Sequence, residues 1–499
     1  MQGKKQFRNL LWNIISRAAT AALAMAVVFA LTAVLTRPAQ AQTPATSGGW
    51  AERVLHSFNY NGTDGWEPLA SLIFDAAGNL YGTTFSGGSY GGGMVFELTP
   101  TTGGGWTEQV LYNFGGTDGW YPEASLIFDA AGNLYGTTVN GGAYGGGTVF
   151  ELTPTAGGGW TEQVLYSFCA QTNCTDGANP EASLIFDAAG NLYGTTQYGG
   201  TTTYGGTVFE LTPAAGGGWT EAVLYPFNRN GTDGVVPVAS LIFDTAGNLY
   251  GTTLGGGTYG NEFTGGTVFE LTPTAGGGWT EQVLWSFGSG TDGANPWFGL
   301  IFDAAGNLYS TTANGGGNFS GNCLEYGMDL GCGTVFELTP IGGGNWAETV
   351  LYSFCSQTNC PDGAQPYAGL IFDAAGNLYG EASVGGAYSN CTYGCGTVFE
   401  LTPTGGGSWT EQVLHSFNNN GTDGYEPAAG LIFDHAGNLY GTTYEGGTGS
   451  NCGADGCGTV FELTPVYPCA KCSHSVLREG DVLPAERRDV LEQRGIGRP

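Results

Sequence analysis

The chain has 499 residues and carries 43 aspartates and glutamates against 13 lysines and arginines, a net charge of −30. That balance excludes sequence-independent binding to nucleic acid or to anionic membranes. Its 91 glycines follow no triplet period and sit among abundant Val, Leu, Phe, Tyr and Trp, which excludes a collagen-like or disordered chain and points to many short strands joined by tight turns.

Residues 1–41 are different in kind from the rest. Lys4, Lys5, Arg8 and Arg17 precede an apolar run from Ala18 to Thr36, and Ala39-Gln40-Ala41 fits the small-x-small pattern of a secretory signal peptide, with cleavage expected after Ala41. No other segment is long and apolar enough to span a bilayer, so no membrane span is expected after cleavage. Residues 42–49 form a short linker. From 50 to 465 the body holds only Arg53 and Arg229 as bases against 38 acids, and residues 466–499 form a charged tail expected to be poorly ordered.

The body opens with a strand-like stretch, Trp50–Phe58, "WAERVLHSF". Next comes "LIFDAAGNLYGTT", Leu72–Thr84, with near-copies beginning at Leu126, Leu184, Leu241, Leu300, Leu370 and Leu431. Each period holds four strand-like runs: "SLIFD", "NLYGTT", "GTVFELTP" and one such as "WTEQVLYSF". In "DAAGN" the Asp accepts from turn amides and the Gly supplies positive φ, and every connection is hairpin-sized, so the strands should pair antiparallel in chain order. Seven four-stranded units predict an all-β, seven-bladed β-propeller, which removes exposed edges by closing into a ring. A β-solenoid is the rival, but the ends favour the ring. The body closes on a third strand ending at Pro465, and the orphan stretch 50–58 is the fourth strand that the last blade lacks.

The combination "LIFDAAGNLYGTT…GG…GTVFELTP" over about residues 50–465 closely resembles the GloVer tandem repeat of bacterial choice-of-anchor secreted proteins. "D-x-x-G-N-L-Y" alone resembles, more weakly, the blade motif of NHL and two-component-regulator propellers. The resemblance implies architecture and an exported location and no established activity. Relatives of this kind carry a C-terminal anchoring segment, whereas this chain ends "ERRDVLEQRGIGRP" with no hydrophobic anchor.

Function must come from sites placed on the scaffold. In a four-stranded meander the links between blades and the second-to-third loops share one face of the disc, and nearly all sequence variation falls there, where binding usually resides. Each link carries "TDGxxP" (once "PDG"), with Asp64, Asp118, Asp176, Asp233, Asp292, Asp362 and Asp423. These aspartates shape turns, and they are also candidates for a ring of carboxylates holding a cation or sugar hydroxyls. Trp66, Trp120, Trp297, Tyr367 and Tyr425 in the same links are candidates for stacking on sugar rings, as are Tyr90, Tyr144, Tyr204, Tyr259 and Tyr388 in the neighbouring loops.

Twelve cysteines fall into six close pairs: Cys169 with Cys174, Cys323 with Cys332, Cys355 with Cys360, Cys391 with Cys395, Cys452 with Cys457, and Cys469 with Cys472. Behind a signal peptide they read as local disulfides. No D-x-D-x-D-G run occurs, so no cofactor is expected; calcium has a place only where acids of adjacent blades converge. Four histidines stand without a triad-like setting; His56 and His415 occupy a strand position that is Tyr or Trp in the other copies. The expected function is a secreted, non-enzymatic binding scaffold whose partner is a polysaccharide or another extracellular protein. The alternative is an extracellular carbohydrate-active or lyase-type enzyme with its site among the variable loops.

Overall fold

The computed structural model describes residues 49–466, apart from 319–322, 326–327, 450 and 453–454. The expected signal peptide, the linker up to residue 48 and the tail lie outside the described residues. So does the sixth expected disulfide, since Cys469 and Cys472 both fall in that tail.

Seven antiparallel sheets of four strands form a ring. In blade 1 the strands are Ile73–Phe74, Leu80–Thr84, Met94–Pro100 and Trp106–Asn113, paired in that order, with the short first strand innermost. Blades 2 to 6 repeat the pattern. Blade 7 has Ile432–Phe433, Leu439–Gly446 and Thr459–Pro465, and its fourth strand is Trp50–Ser57. The closing strand copies its counterparts in detail. In blade 1 a bulge separates Val95↔Tyr112 from Phe96↔Val110, and at the seam one separates Val460↔His56 from Phe461↔Val54.

The repeated thirteen residues serve packing between blades as much as within them. Tyr81 of blade 1 meets Phe128 of blade 2 edge-on at 5.1 Å, and the same contact recurs at every interface, Tyr440 to Phe74 joining the last blade to the first. Asp75 fixes the turn between the first two strands: Oδ1 accepts from the Ala77 and Asn79 amides at 2.8 and 2.9 Å, and Oδ2 accepts from Asn79 Nδ2 at 2.9 Å. The Tyr81 hydroxyl donates to Glu97 at 2.9 Å, so one polar cluster satisfies turn, tyrosine and third strand together.

Gly136 in "LYGTT" shows why the motif tolerates little change. A Cβ there would lie 2.6 Å from Cζ of Phe150, which is fully buried in the blade 2 core. Gly136→Ala is therefore expected to lower stability by about 1–3 kcal/mol through overpacking. A thermal melt checks this, and an unchanged midpoint would show that the phenylalanine has room to move.

One feature exceeds the sequence-based expectation. Every link pairs with the second-to-third loop of the next blade, as in Gly65↔Gly87, Trp120↔Asn140, Ala178↔Tyr198 and Gly424↔Gly446. The glycine of "TDG" is needed for this approach: a Cβ on Gly119 would sit 2.4 Å from Thr138 Oγ1, a buried hydroxyl of the second strand. Links and loops thus form one continuous face.

Candidate binding face

Six of the seven link aspartates are buried, none more than 8% exposed, and Asp118 is half-buried. Six of the seven hold their own turns. Asp64 accepts from the Asn59 and Gly65 amides at 2.9 and 2.8 Å, Asp176 from Ala170 N at 2.8 Å, Asp233 from Asn228 N at 2.9 Å and Asp362 from Ser356 N at 2.8 Å. Asp292 accepts from Ser289 Oγ at 3.1 Å and Asp118 from Gly115 N at 3.3 Å.

Two further groups converge on each aspartate. The preceding outer strand supplies one: the hydroxyls of Tyr112, Tyr166, Tyr225 and Tyr352 donate to Asp118, Asp176, Asp233 and Asp362 at 2.8–3.1 Å. In two links the phenol is replaced by an imidazole, with His415 Nε2 3.3 Å from Asp423 and His56 Nε2 3.9 Å from Asp64. Trp285 stands at the equivalent position before Asp292.

The second group is a glutamate of the next blade's outer strand. Burial, reinforced by the charge of the aspartate beside it, pushes Glu108 (beside Asp64), Glu162 (Asp118), Glu221 (Asp176), Glu281 (Asp233), Glu348 (Asp292), Glu411 (Asp362) and Glu52 (Asp423) up to about 7. A like charge beside a buried carboxyl favours its protonated form. Near pH 7 and below these glutamates take up protons, so the folded body is less anionic than its composition implies.

The link aromatics divide into two places. Trp66, Trp120 and Tyr425 follow their aspartates by two residues and stay with the turns. Trp66 packs edge-on to Tyr60 at 5.7 Å, Trp120 edge-on to Tyr121 at 5.7 Å, and Tyr425 is buried. Trp297 and Tyr367 follow by five residues and meet edge-on at 5.6 Å in a cavity of about 280 Å³ bounded by the link ends of several blades.

Glu123 and Glu181 line that same cavity and went unnoticed in the sequence. Burial raises Glu123 to about 7 and, with the added charge of Glu123, lifts Glu181 well above the carboxylate range. A signal for them existed. The residue after each link proline is Leu69, Glu123, Glu181, Val238, Trp297, Tyr367 or Ala428, unusually varied within so constant a repeat.

The loop tyrosines stand out from the face. Tyr90, Tyr144, Tyr204, Tyr259 and Tyr388 are 69, 60, 39, 60 and 45% exposed. Between blades 3 and 4 an open cleft of about 450 Å³ brings Tyr259 together with Tyr225, Asp233, Glu281 and Trp285. Some rings also rest on neighbouring structure: Tyr90 lies against Gly115, and the Arg229 guanidinium sits 6.0 Å from the Tyr204 ring centre.

Five local disulfides stiffen the same face. Cys169–Cys174 and Cys355–Cys360 close links; Cys323–Cys332, Cys391–Cys395 and Cys452–Cys457 close second-to-third loops. The sixth pair expected from the sequence, Cys469 with Cys472, is not among them, because both cysteines lie outside the described residues. Among the described residues no cysteine is free, and no helix is long and apolar enough to cross a membrane.

Comparison with known proteins adds a family. Residues 43–263 and 323–478 match the Gloeobacter/Verrucomicrobia repeat. No curated protein matches the chain. Among solved structures, PorZ of Porphyromonas gingivalis, described as an essential bacterial surface component of the type-IX secretion system, aligns over 75% of this chain with 15% identity and a TM-score of 0.36. The aligned part spans 45% of PorZ, less than half its length.

Proposed function

We propose that this chain, which belongs to the Gloeobacter/Verrucomicrobia repeat family, is a secreted, non-enzymatic scaffold that binds an extended polysaccharide across its link-and-loop face. The observation that carries this reading is the set of five exposed tyrosines, one from each of five blades, on the face that also holds the inter-blade clefts. Exposed rings beside carboxylates, hydroxyls and amides match a sugar's apolar faces and its hydroxyl edges. Local disulfides in the loops suit an oxidising compartment outside the cytoplasm. Each cleft repeats one carboxylate arrangement, which favours several weak, similar contacts over a single reaction centre.

The test is binding to a polysaccharide panel with thermal melts in parallel. Replacing Tyr90, Tyr144 and Tyr259 by Ala one, two and three at a time should weaken binding in steps, each about 3- to 10-fold, with little change in melting. Changing Asp118 and Trp120 together should act in the same direction. Losses of binding that always track losses of folded protein would refute the reading, and release of new reducing ends would turn it toward an enzyme.

A further inference from the structure

Seven outer-strand positions face seven Asp–Glu pairs, and only two of them carry histidine. Both histidine clusters involve the closing strand. Glu52 of that strand joins His415 and Asp423, and His56 of the same strand joins Asp64 and Glu108; within each trio the ligand atoms lie within 4.8 Å of one another. We propose that these two trios are binding sites for a divalent transition ion of the zinc class, which ties Trp50–Ser57 to the outer strand of blade 6 on one side and of blade 1 on the other.

The chemistry of the substitution supports this. In the tyrosine blades the phenol brings a proton to the carboxylate, as Tyr112 does to Asp118 at 2.8 Å. A neutral imidazole offers a lone pair instead, and one nitrogen with two carboxylates is a donor set for zinc and its neighbours rather than for calcium. Zinc–ligand bonds of about 2.0–2.1 Å at tetrahedral angles put ligand atoms about 3.3–3.4 Å apart. His415 Nε2 and Asp423 Oδ2 are 3.3 Å apart, and His56 Nε2 and Asp64 Oδ2 are 3.9 Å apart, within reach of a small side-chain shift.

Unpartnered buried atoms point the same way. Asp423 is 8% exposed, and its Oδ1 and Glu52 Oε1 are buried without hydrogen bonds. His56 Nε2 and Glu108 Oε1 are likewise buried without hydrogen bonds in the second trio. Such groups cost stability unless something satisfies them, and a cation satisfies all of them at once. The closing strand gains most, because its glutamate and its histidine, four residues apart, point into neighbouring clefts.

Zinc chloride titrated into the full mature chain by calorimetry tests this, in non-reducing buffer so that the loop cysteines stay paired. His56→Tyr and His415→Tyr copy the residue found in other blades and should each lose one equivalent of zinc relative to the parent, the double variant losing two. Zinc should raise the parent's melting temperature by several degrees and leave the double variant's unmoved. Glu52→Gln and Glu108→Gln, each removing one ligand with little change in shape, give the same readout should a tyrosine variant fail to fold. A double variant that binds as many equivalents as the parent, or a parent that binds no zinc at about 100 µM, overturns the proposal.

Discussion

A chain lacking residues 50–58 should lose most of its stability and melt broadly or aggregate, whereas the full chain melts cooperatively. The removed strand makes seven paired positions with Thr459–Pro465 and carries Phe58, which is fully buried against Phe96 at 5.2 Å. Burial of one phenylalanine contributes about 1.5–3 kcal/mol, and each lost ladder bond about 0.5–1.5 kcal/mol, so the total of several kcal/mol is a large share of a typical folding free energy. The loss also leaves Thr459–Pro465 as an open apolar edge, a template for association. Calorimetry and light scattering read both effects. A synthetic peptide of residues 49–59 added in trans should restore part of the melting transition. A truncated chain that melts at the temperature of the parent would show that the ring does not depend on this strand.

The second large effect concerns Glu381, which stands in blade 6 where the other six blades have threonine. Those threonines, such as Thr137 and Thr311, donate from Oγ1 to a carbonyl of the next link, Ala182 O at 3.2 Å and Ala368 O at 3.0 Å. Glu381 is fully buried between blades 6 and 7, and neither carboxyl oxygen makes a well-formed hydrogen bond, the backbone of Ala429 compensating only in part. Burial holds its acid well above the carboxylate range, so the fold favours the neutral form.

The folded chain therefore keeps a proton that the unfolded chain releases near pH 4.5. Stability tied to this group is full below pH 4.5 and falls as pH rises from there through the raised folded value. Glu381→Thr removes that decline. The variant should gain on the parent steadily as pH rises from 4.5 to 8, by about 1.4 kcal/mol for each pH unit over which the folded acid keeps its proton. The outer-strand glutamates near 7 titrate alike in both proteins and cancel in the difference. Melts at pH 4.5, 6 and 8 decide the matter. A variant that is less stable by the same amount at every pH would show that the carboxyl is satisfied in the native ring.

The sequence alone determined the parts of this protein that depend on neighbours along the chain. The alternation in "GTVFELTP", the Asp-to-Asn turn of "DAAGN" and the close spacing of cysteines each rest on contacts a few residues apart, so strands, hairpins and the five loop disulfides were legible. Closure by 50–58 was legible too, because an unpaired fourth strand at one end and a missing one at the other are complementary on inspection. What only the tertiary structure decided is which link residues meet. Trp66 and Trp297 read alike as link aromatics, yet three residues of offset put one in a turn and the other in the axial cavity with Glu123 and Glu181. Asp64 meets Glu108, forty-odd residues on, because the rotation from blade to blade brings a link against the next outer strand. For the same reason His56 looked like an ordinary variant of tyrosine. Its setting is fixed by the packing of blade 1 against the closing strand, and no spacing along the chain encodes that angle.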